Sequence, residues 1–244
     1  MLAAYFDDSN TSPNQKVAAV AGYLGSVAQW DRFCLRWGAL LKDFNIKSTH
    51  RTDLQALKGE FADWNKMRRD KFIQKAYSVI NRFVYVPIGC ALSTEDYNSI
   101  VPDHLKRISG GVYGWCAILC EHDVTEWCLR HNYKDKIQYV FEDGTYGRGQ
   151  VNEWFKAISR TKELRDVHRC GGISFQTKEL KPLQAADFVS YDVARYALDR
   201  RLGRERTDVT MIIDKYVLSK PESAERVRYW DRELLKAFVD NWRD

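Results

Sequence analysis

The chain has 244 residues, 45% of them hydrophobic and 29% charged, the proportions of a globular protein with ample material for a core. Aromatic residues make up 13%, including eight Trp, which argues against a disordered chain, and no apolar run is long enough to span a bilayer. A net charge of +5 permits a polyanionic partner without requiring one.

Leu2 to Asp7 predicts a strand with Leu2, Ala4 and Phe6 on one face and Ala3, Tyr5 and Asp7 on the other. Met1-Leu2-Ala3-Ala4 has no basic n-region, so neither a signal peptide nor a membrane anchor is expected, and the setting should be cytoplasmic. Ser9, Asn10, Thr11, Ser12, Pro13 and Asn14 supply turn chemistry for a hairpin into Val17–Leu24. Ser26 and Gln29 form a capping box ahead of a stripe through Val27, Trp30, Phe33, Cys34, Trp37, Leu40, Leu41 and Phe44. A polar connection from Asn45 to Asn65 follows, containing His50 and Asp53, and then a helix over Lys66–Arg82.

Val84 to Leu92 predicts a third strand, with Pro87 suited to an edge or a bulge. Ser93-Thr94-Glu95-Asp96 starts a helix. A longer one after Gly110-Gly111 runs to about His131. Ile137–Phe141 is a fourth strand, and the loop with Gly144, Gly147 and Gly149 leads into a helix that turns Val151, Trp154, Phe155 and Ile158 inward. A short strand at Ile173-Ser174-Phe175 precedes Pro182, placed for the first turn of a helix to about Leu202, with Gly203 as its C-terminal cap. The rest, from Arg204 through Leu234, Leu235, Phe238, Val239 and Trp242, predicts a helical extension.

Without repeats or linkers, this order predicts one α/β domain over 1–244, with a core of about 1–203 and an extension over 204–244. A mixed five-stranded sheet flanked by helices, with a helical insertion, is expected. The six cysteines include no CxxC pair and are expected as reduced core thiols. A zinc set from Cys116 and Cys120 with His122 or His131 competes with one buried helical face, and the latter is preferred.

The chemistry lies in three separated acidic stretches: Asp7-Asp8-Ser9-Asn10, Glu142-Asp143-Gly144 and Leu183-Gln184-Ala185-Ala186-Asp187. Two end apolar strands and the third opens a helix. Acids gathered in one place repel unless a cation neutralises them, so their convergence would call for a divalent metal. Single-residue alternatives exist. Asp8 and Asp143 could bond their own turns, and Asp187 could favour its helix dipole.

The element order and motifs resemble a bacterial family catalogued as domain-of-unknown-function family 3800, of ribonuclease H-like fold. That family opens with a strand ending Asp-Glu-Ser-Gly, carries an acid at the end of a middle strand, and starts a late helix with Leu-Gln-x-Ala-Asp. His50-Arg51-Thr52-Asp53 fits its His-x-Thr-Asp element. This chain departs from the first motif twice, with Asp8 in place of Glu and Asn10 in place of Gly. Asn tolerates the left-handed turn, while Asp8 has a shorter reach.

The resemblance implies Mg²⁺ or Mn²⁺ on Asp7, Asp8, Glu142, Asp143 and Asp187, since magnesium prefers oxygen ligands and keeps waters that phosphates displace. Two such ions, about 3.5–4 Å apart, would hydrolyse phosphodiesters, with Asp7 bridging them. His50 is a candidate proton carrier or ligand, and Asp53, Lys178, Lys181 and Gln184 are candidates for substrate contact. Arg195, Arg200, Arg201, Arg204 and Arg206 could follow a nucleic-acid backbone or form a solvated helical face. The alternative function is a non-catalytic module that binds nucleic acid or protein. No GxSxG elbow or Walker A loop supports other chemistry.

Overall fold

The alternating strand at the start of the chain and the apolar run after its turn pair as expected. β1 (Leu2–Ser9) and β2 (Val17–Ser26) form an antiparallel hairpin with Asp7 opposite Ala21. Asn10 adopts the left-handed conformation (φ 59°) that the turn requires. The computed structural model describes all residues except 12–13, 145–147, 205–206, 220 and 242–244. Ser12, Pro13, Gly147, Arg206 and Trp242 therefore lie outside the described residues.

Ser26 caps α1 (Val27–Asp43) through the full capping box, its amide donating to Gln29 Oε1 at 2.8 Å, a motif worth about 1 kcal/mol. The polar connection after α1 is not a loop throughout. It contains the short helix α2 (Arg51–Ala56) and a 3₁₀ turn at Gly59–Phe61. Next come α3 (Lys66–Phe83), β3 (Val86–Ser93) and α4 (Thr94–Ile100), the last capped by Ser93. Then follow α5 (Asp103–Ser109), α6 (Val112–Arg130), β4 (Ile137–Glu142), α7 (Arg148–Arg160), α8 (Lys162–His168) and β5 (Cys170–Gln176). α9 (Lys181–Arg201) carries Pro182 in its first turn, and Gly203 (φ 63°) follows its end.

The segment beyond Arg204 departs from the expected run of helix. α10 (Asp208–Tyr216) and α11 (Pro221–Arg226) lead into a strand, β6 (Val227–Trp230), before α12 (Arg232–Asn241). Among the described residues the sheet therefore has six strands rather than five, ordered β5-β4-β1-β2-β3-β6. β6 lies parallel to β3 over Gly89–Leu92 only. Pro87 stands outside that stretch, where its missing N–H costs no outer ladder bond. Buried Arg226 anchors the strand's start by pairing with Asp123 and Glu126 of α6.

The sheet is buried on both faces. Leu2, Ala4, Phe6, Ile88 and Phe141 pack with α6 and α7, while Ala3, Ala19, Ala21 and Tyr23 pack with α1, α3 and α9. The small residues on the second face, met by Ala185 and Ala194, let α9 lie close across the central strands. Cys116 and Cys120 are buried in the first core, and no cysteine–histidine metal cluster occurs among the described residues. All six cysteines are unpaired. Among the described residues, no helix is long and apolar enough to cross a membrane.

Candidate metal centre

β1 and β4 run parallel with Phe6 beside Phe141, and their rings stack at 5.3 Å. The next residue on each strand, Asp7 and Glu142, points to the opposite face, toward α9. Asp187 arrives there from the second turn of α9, on its buried side. Residues far apart in sequence thus meet at the C-terminal ends of two adjacent parallel strands.

The point where they meet is held by Lys178, in the loop between β5 and α9. Its Nζ lies 3.2 Å from Asp7 Oδ2, 3.2 Å from Glu142 Oε2 and 3.0 Å from Asp187 Oδ1. Asp8 joins from the rim: Asp7, Asp8 and Glu142 each offer an oxygen within 4.8 Å of the others. Asp7 is only 1% exposed. Its Oδ1 accepts the Asp8 amide at 2.7 Å, whereas its Oδ2 has no partner in hydrogen-bonding geometry. The ammonium's contact with Oδ2 is thus an attraction of charges without an aligned hydrogen bond.

Burial pushes the Asp7 carboxyl well above the usual carboxylate range, and the neighbouring Glu142 and Asp187 push it further, with Lys178 opposing. Lys178 is raised as well, but against burial and by neighbouring charge. Burial alone would discharge it, but Asp187, Asp7 and Glu142 together outweigh that and raise its pKa. Tyr113, near the start of α6, is also raised, by burial first and then by the charges of Asp8, Asp7 and Glu142.

A surrounding set of residues fixes these groups. Gln184 is 2% exposed and uses both ends of its amide inside the protein, accepting from Trp37 Nε1 at 2.8 Å and donating to the Lys178 carbonyl at 2.9 Å. It positions the lysine loop rather than facing a ligand. Asp187 Oδ2 accepts the Arg51 amide at 2.5 Å. The Arg51 side chain is fully buried, pairing with Asp192 at 2.9 Å, and Tyr77 donates its hydroxyl to the same carboxylate. This strut ties α2 and α3 to α9. Sequence reading missed it, and the available signal was Asp192 standing on the apolar face of α9 with Phe188, Val189 and Val193.

His50 caps α2 by position, with Nε2 3.9 Å from Asp187 Oδ1 and Nδ1 3.1 Å from Asp53 Oδ2. Both residues are about half exposed and border the acids. Asp143 does not join them. It accepts from the Gly144 amide at 2.8 Å and pairs with Arg148, which is the turn role. Thr11 bonds Asp8. Lys181 extends toward Gly38 of α1, beside Lys42 and Lys47, and not into the acidic group. Of the arginines, Arg201 is engaged with Ser93, Glu95 and Asp96, while Arg200 donates to Tyr196.

The donor set consists of carboxylate oxygens with one buried oxygen left unsatisfied, and it has no thiolate or thioether. That is the composition hard divalent cations such as Mg²⁺ and Mn²⁺ select. The fit is one of chemistry and placement.

No protein-family model matches the chain, and no curated protein does. Among solved structures, it is similar to a chain described as "Structure of the PCNA:RNase HII complex from Archaeoglobus fulgidus", at 14% identity and a TM-score of 0.39, covering 100% of this chain and 91% of that one. A likeness of that strength leaves activity and partner to be argued from the site itself.

Proposed function

We propose that this protein is a divalent-metal-dependent nuclease of ribonuclease H-like fold, related to domain-of-unknown-function family 3800, that hydrolyses phosphodiester bonds of nucleic acid. The observation that carries the reading is the meeting of Asp7, Glu142 and Asp187 within 3.2 Å of one cationic point, with Asp8 at its rim. Bound Mg²⁺ or Mn²⁺ would supply Lewis-acid stabilisation of the charge that builds on a phosphodiester, and would acidify water. Asp7, Glu142, Asp187 and Asp8 would hold the ions. Half-exposed His50, paired with half-exposed Asp53, stands 3.9 Å from Asp187 at the site's edge. Asp53 fixes one ring nitrogen of His50 and leaves Nε2 to carry a proton at the site's edge. Six unpaired cysteines suit a reducing, cytoplasmic compartment.

One observation favours the alternative, a non-catalytic binding module. Lys178 already offers a positive charge to the three carboxylates. Incubating the protein with single- and double-stranded DNA, RNA and hybrids, with Mg²⁺ or Mn²⁺, separates the two. Metal-dependent cleavage that disappears in Asp7→Asn is the expected result. Equal, background-level cleavage by both proteins, with no metal-induced rise in melting temperature, would overturn the nuclease reading. A saturable site should stabilise the fold by about 2.7 kcal/mol at a hundred times its dissociation constant.

A further inference from the structure

The position best placed to receive a cation already holds one belonging to the chain. Lys178 Nζ lies almost equally far from Asp7, Glu142 and Asp187, at 3.2, 3.2 and 3.0 Å. Its main chain is fixed at two points: its carbonyl accepts from Gln184, and Leu180 closes the local turn onto Thr177. The side chain is less confined. It is 22% exposed, so one side of it is open to solvent, and four methylenes give it alternative rotamers within reach of the rim.

We propose that Lys178 is a resident counter-ion that a divalent cation must displace, so that the site alternates between an ammonium-held and a metal-held state. This rests on the metal-binding reading above and adds to it how the site is kept before loading. The physical argument is one of charge and space. Asp7, Asp8, Glu142 and Asp187 bring four carboxyl groups together around a single ammonium. Without metal the site therefore has more acids than cations and attracts divalent ions. Oxygen–metal bonds are about 2.0–2.1 Å for magnesium, so an ion drawing on the Asp7, Glu142 and Asp187 oxygens that Nζ contacts would occupy the space that Nζ fills, and two cations cannot share it.

The lysine thus offsets part of the acids' mutual repulsion while no metal is bound, and it competes with the metal. Once displaced, its ammonium stands at the mouth of the site, where a phosphate would be the nearest anion. A lysine is suited to this exchange because it is a point charge on a flexible stem, unlike the rigid fork of an arginine.

The test uses the full chain stripped of metal with EDTA and then dialysed. Mn²⁺ binding is measured by titration calorimetry for the wild type and for Lys178→Met, which keeps the stem and removes the charge. Displacement predicts at least about tenfold tighter binding by the variant, equivalent to about 1.4 kcal/mol. It also predicts a lower melting temperature than wild type without metal and a larger rise on adding it. A second measurement needs no variant. Reductive methylation of the wild type is read by peptide mass spectrometry, with exposed Lys58 as the internal reference. Saturating Mn²⁺ should raise Lys178 labelling several-fold over the metal-free protein.

Equal Mn²⁺ affinity in the two proteins, or Lys178 labelling that stays low while metal is bound, would overturn displacement and leave the metal site standing. No Mn²⁺ binding by either protein would remove the metal reading and this proposal together. If Lys178→Met does not fold, the labelling experiment decides alone.

Discussion

Removing the charge of Asp7 should stabilise this protein while abolishing metal binding. Asp7 is buried in the centre of the sheet. At an effective dielectric of about 20, its repulsion from Glu142, within 4.8 Å, is at least about 3.5 kcal/mol. Asp187 lies no more than 6.2 Å away, the two ammonium distances of 3.2 and 3.0 Å laid end to end, and adds at least about 2.7 kcal/mol. The attraction to Lys178 at 3.2 Å returns about 5 kcal/mol. The lysine therefore does not outweigh the two acids, and the cost of burying the charge adds to the balance, in agreement with burial as the largest cause of the raised pKa.

A group whose pKa is raised on folding contributes stability that is complete below its unfolded value, near 3.9, and is lost as pH rises through the folded value. Each unit of elevation is worth about 1.4 kcal/mol. Asp7→Asn keeps an oxygen for the Asp8 amide. In EDTA at pH 8 it should be more stable than wild type by about 1–3 kcal/mol, or about 2–4 °C of melting temperature per kcal/mol. Urea or thermal unfolding from pH 4 to pH 8.5 checks this, and the gap should widen with pH. A variant less stable than wild type at pH 8, or a gap that does not change with pH, would refute the reasoning.

Other outcomes follow from the surrounding residues. Gln184→Leu strands the Trp37 indole N–H and the Lys178 carbonyl in the interior and should cost about 2–4 kcal/mol, measured by urea unfolding. Either Arg51→Met or Asp192→Asn leaves one buried charge unpaired and should cost about 3–5 kcal/mol. The double variant should lose less than the sum, and a double-mutant cycle with no coupling would show the strut to be inert. A Cβ at Gly22 would come within 1.8 Å of the Tyr5 carbonyl oxygen. Gly22→Ala should therefore destabilise the hairpin beneath Asp7 by about 1–3 kcal/mol or more, seen as a lowered melting temperature.

The elements legible in the sequence were those long enough to show a period or marked by a specific cap. The alternation of Leu2, Ala4 and Phe6 against Ala3, Tyr5 and Asp7 gave both the strand and the face on which Asp7 lies. Ser26 with Gln29 and the position of Pro182 marked the starts of α1 and α9. β6 was not legible because four residues between helices carry no distinguishable period. α2 was too short for one, and His50 caps it without a side-chain hydrogen bond. The adjacent acids Glu142 and Asp143 separate by one residue's alternation: the first turns toward α9, and the second turns into the glycine turn. Lys178 reads as a loop lysine in sequence. Its place among the acids depends on the Gln184 amide and the course of the loop.

The order of the strands also has a consequence for biosynthesis. β1 is made long before β4, yet it lies between β2 and β4, and β4 begins at Ile137. At the usual 5–20 residues per second, roughly 10–40 s separate the emergence of Asp7 from that of Asp187. Until β4 emerges, the nascent hairpin has an open edge and only Asp7 and Asp8 of the acids, and such long-range pairing folds slowly. A chain released before Asp187, in the second turn of α9, contains no full set of acids. Any activity of the site is therefore withheld from truncated products and begins only when the late helix crosses the sheet.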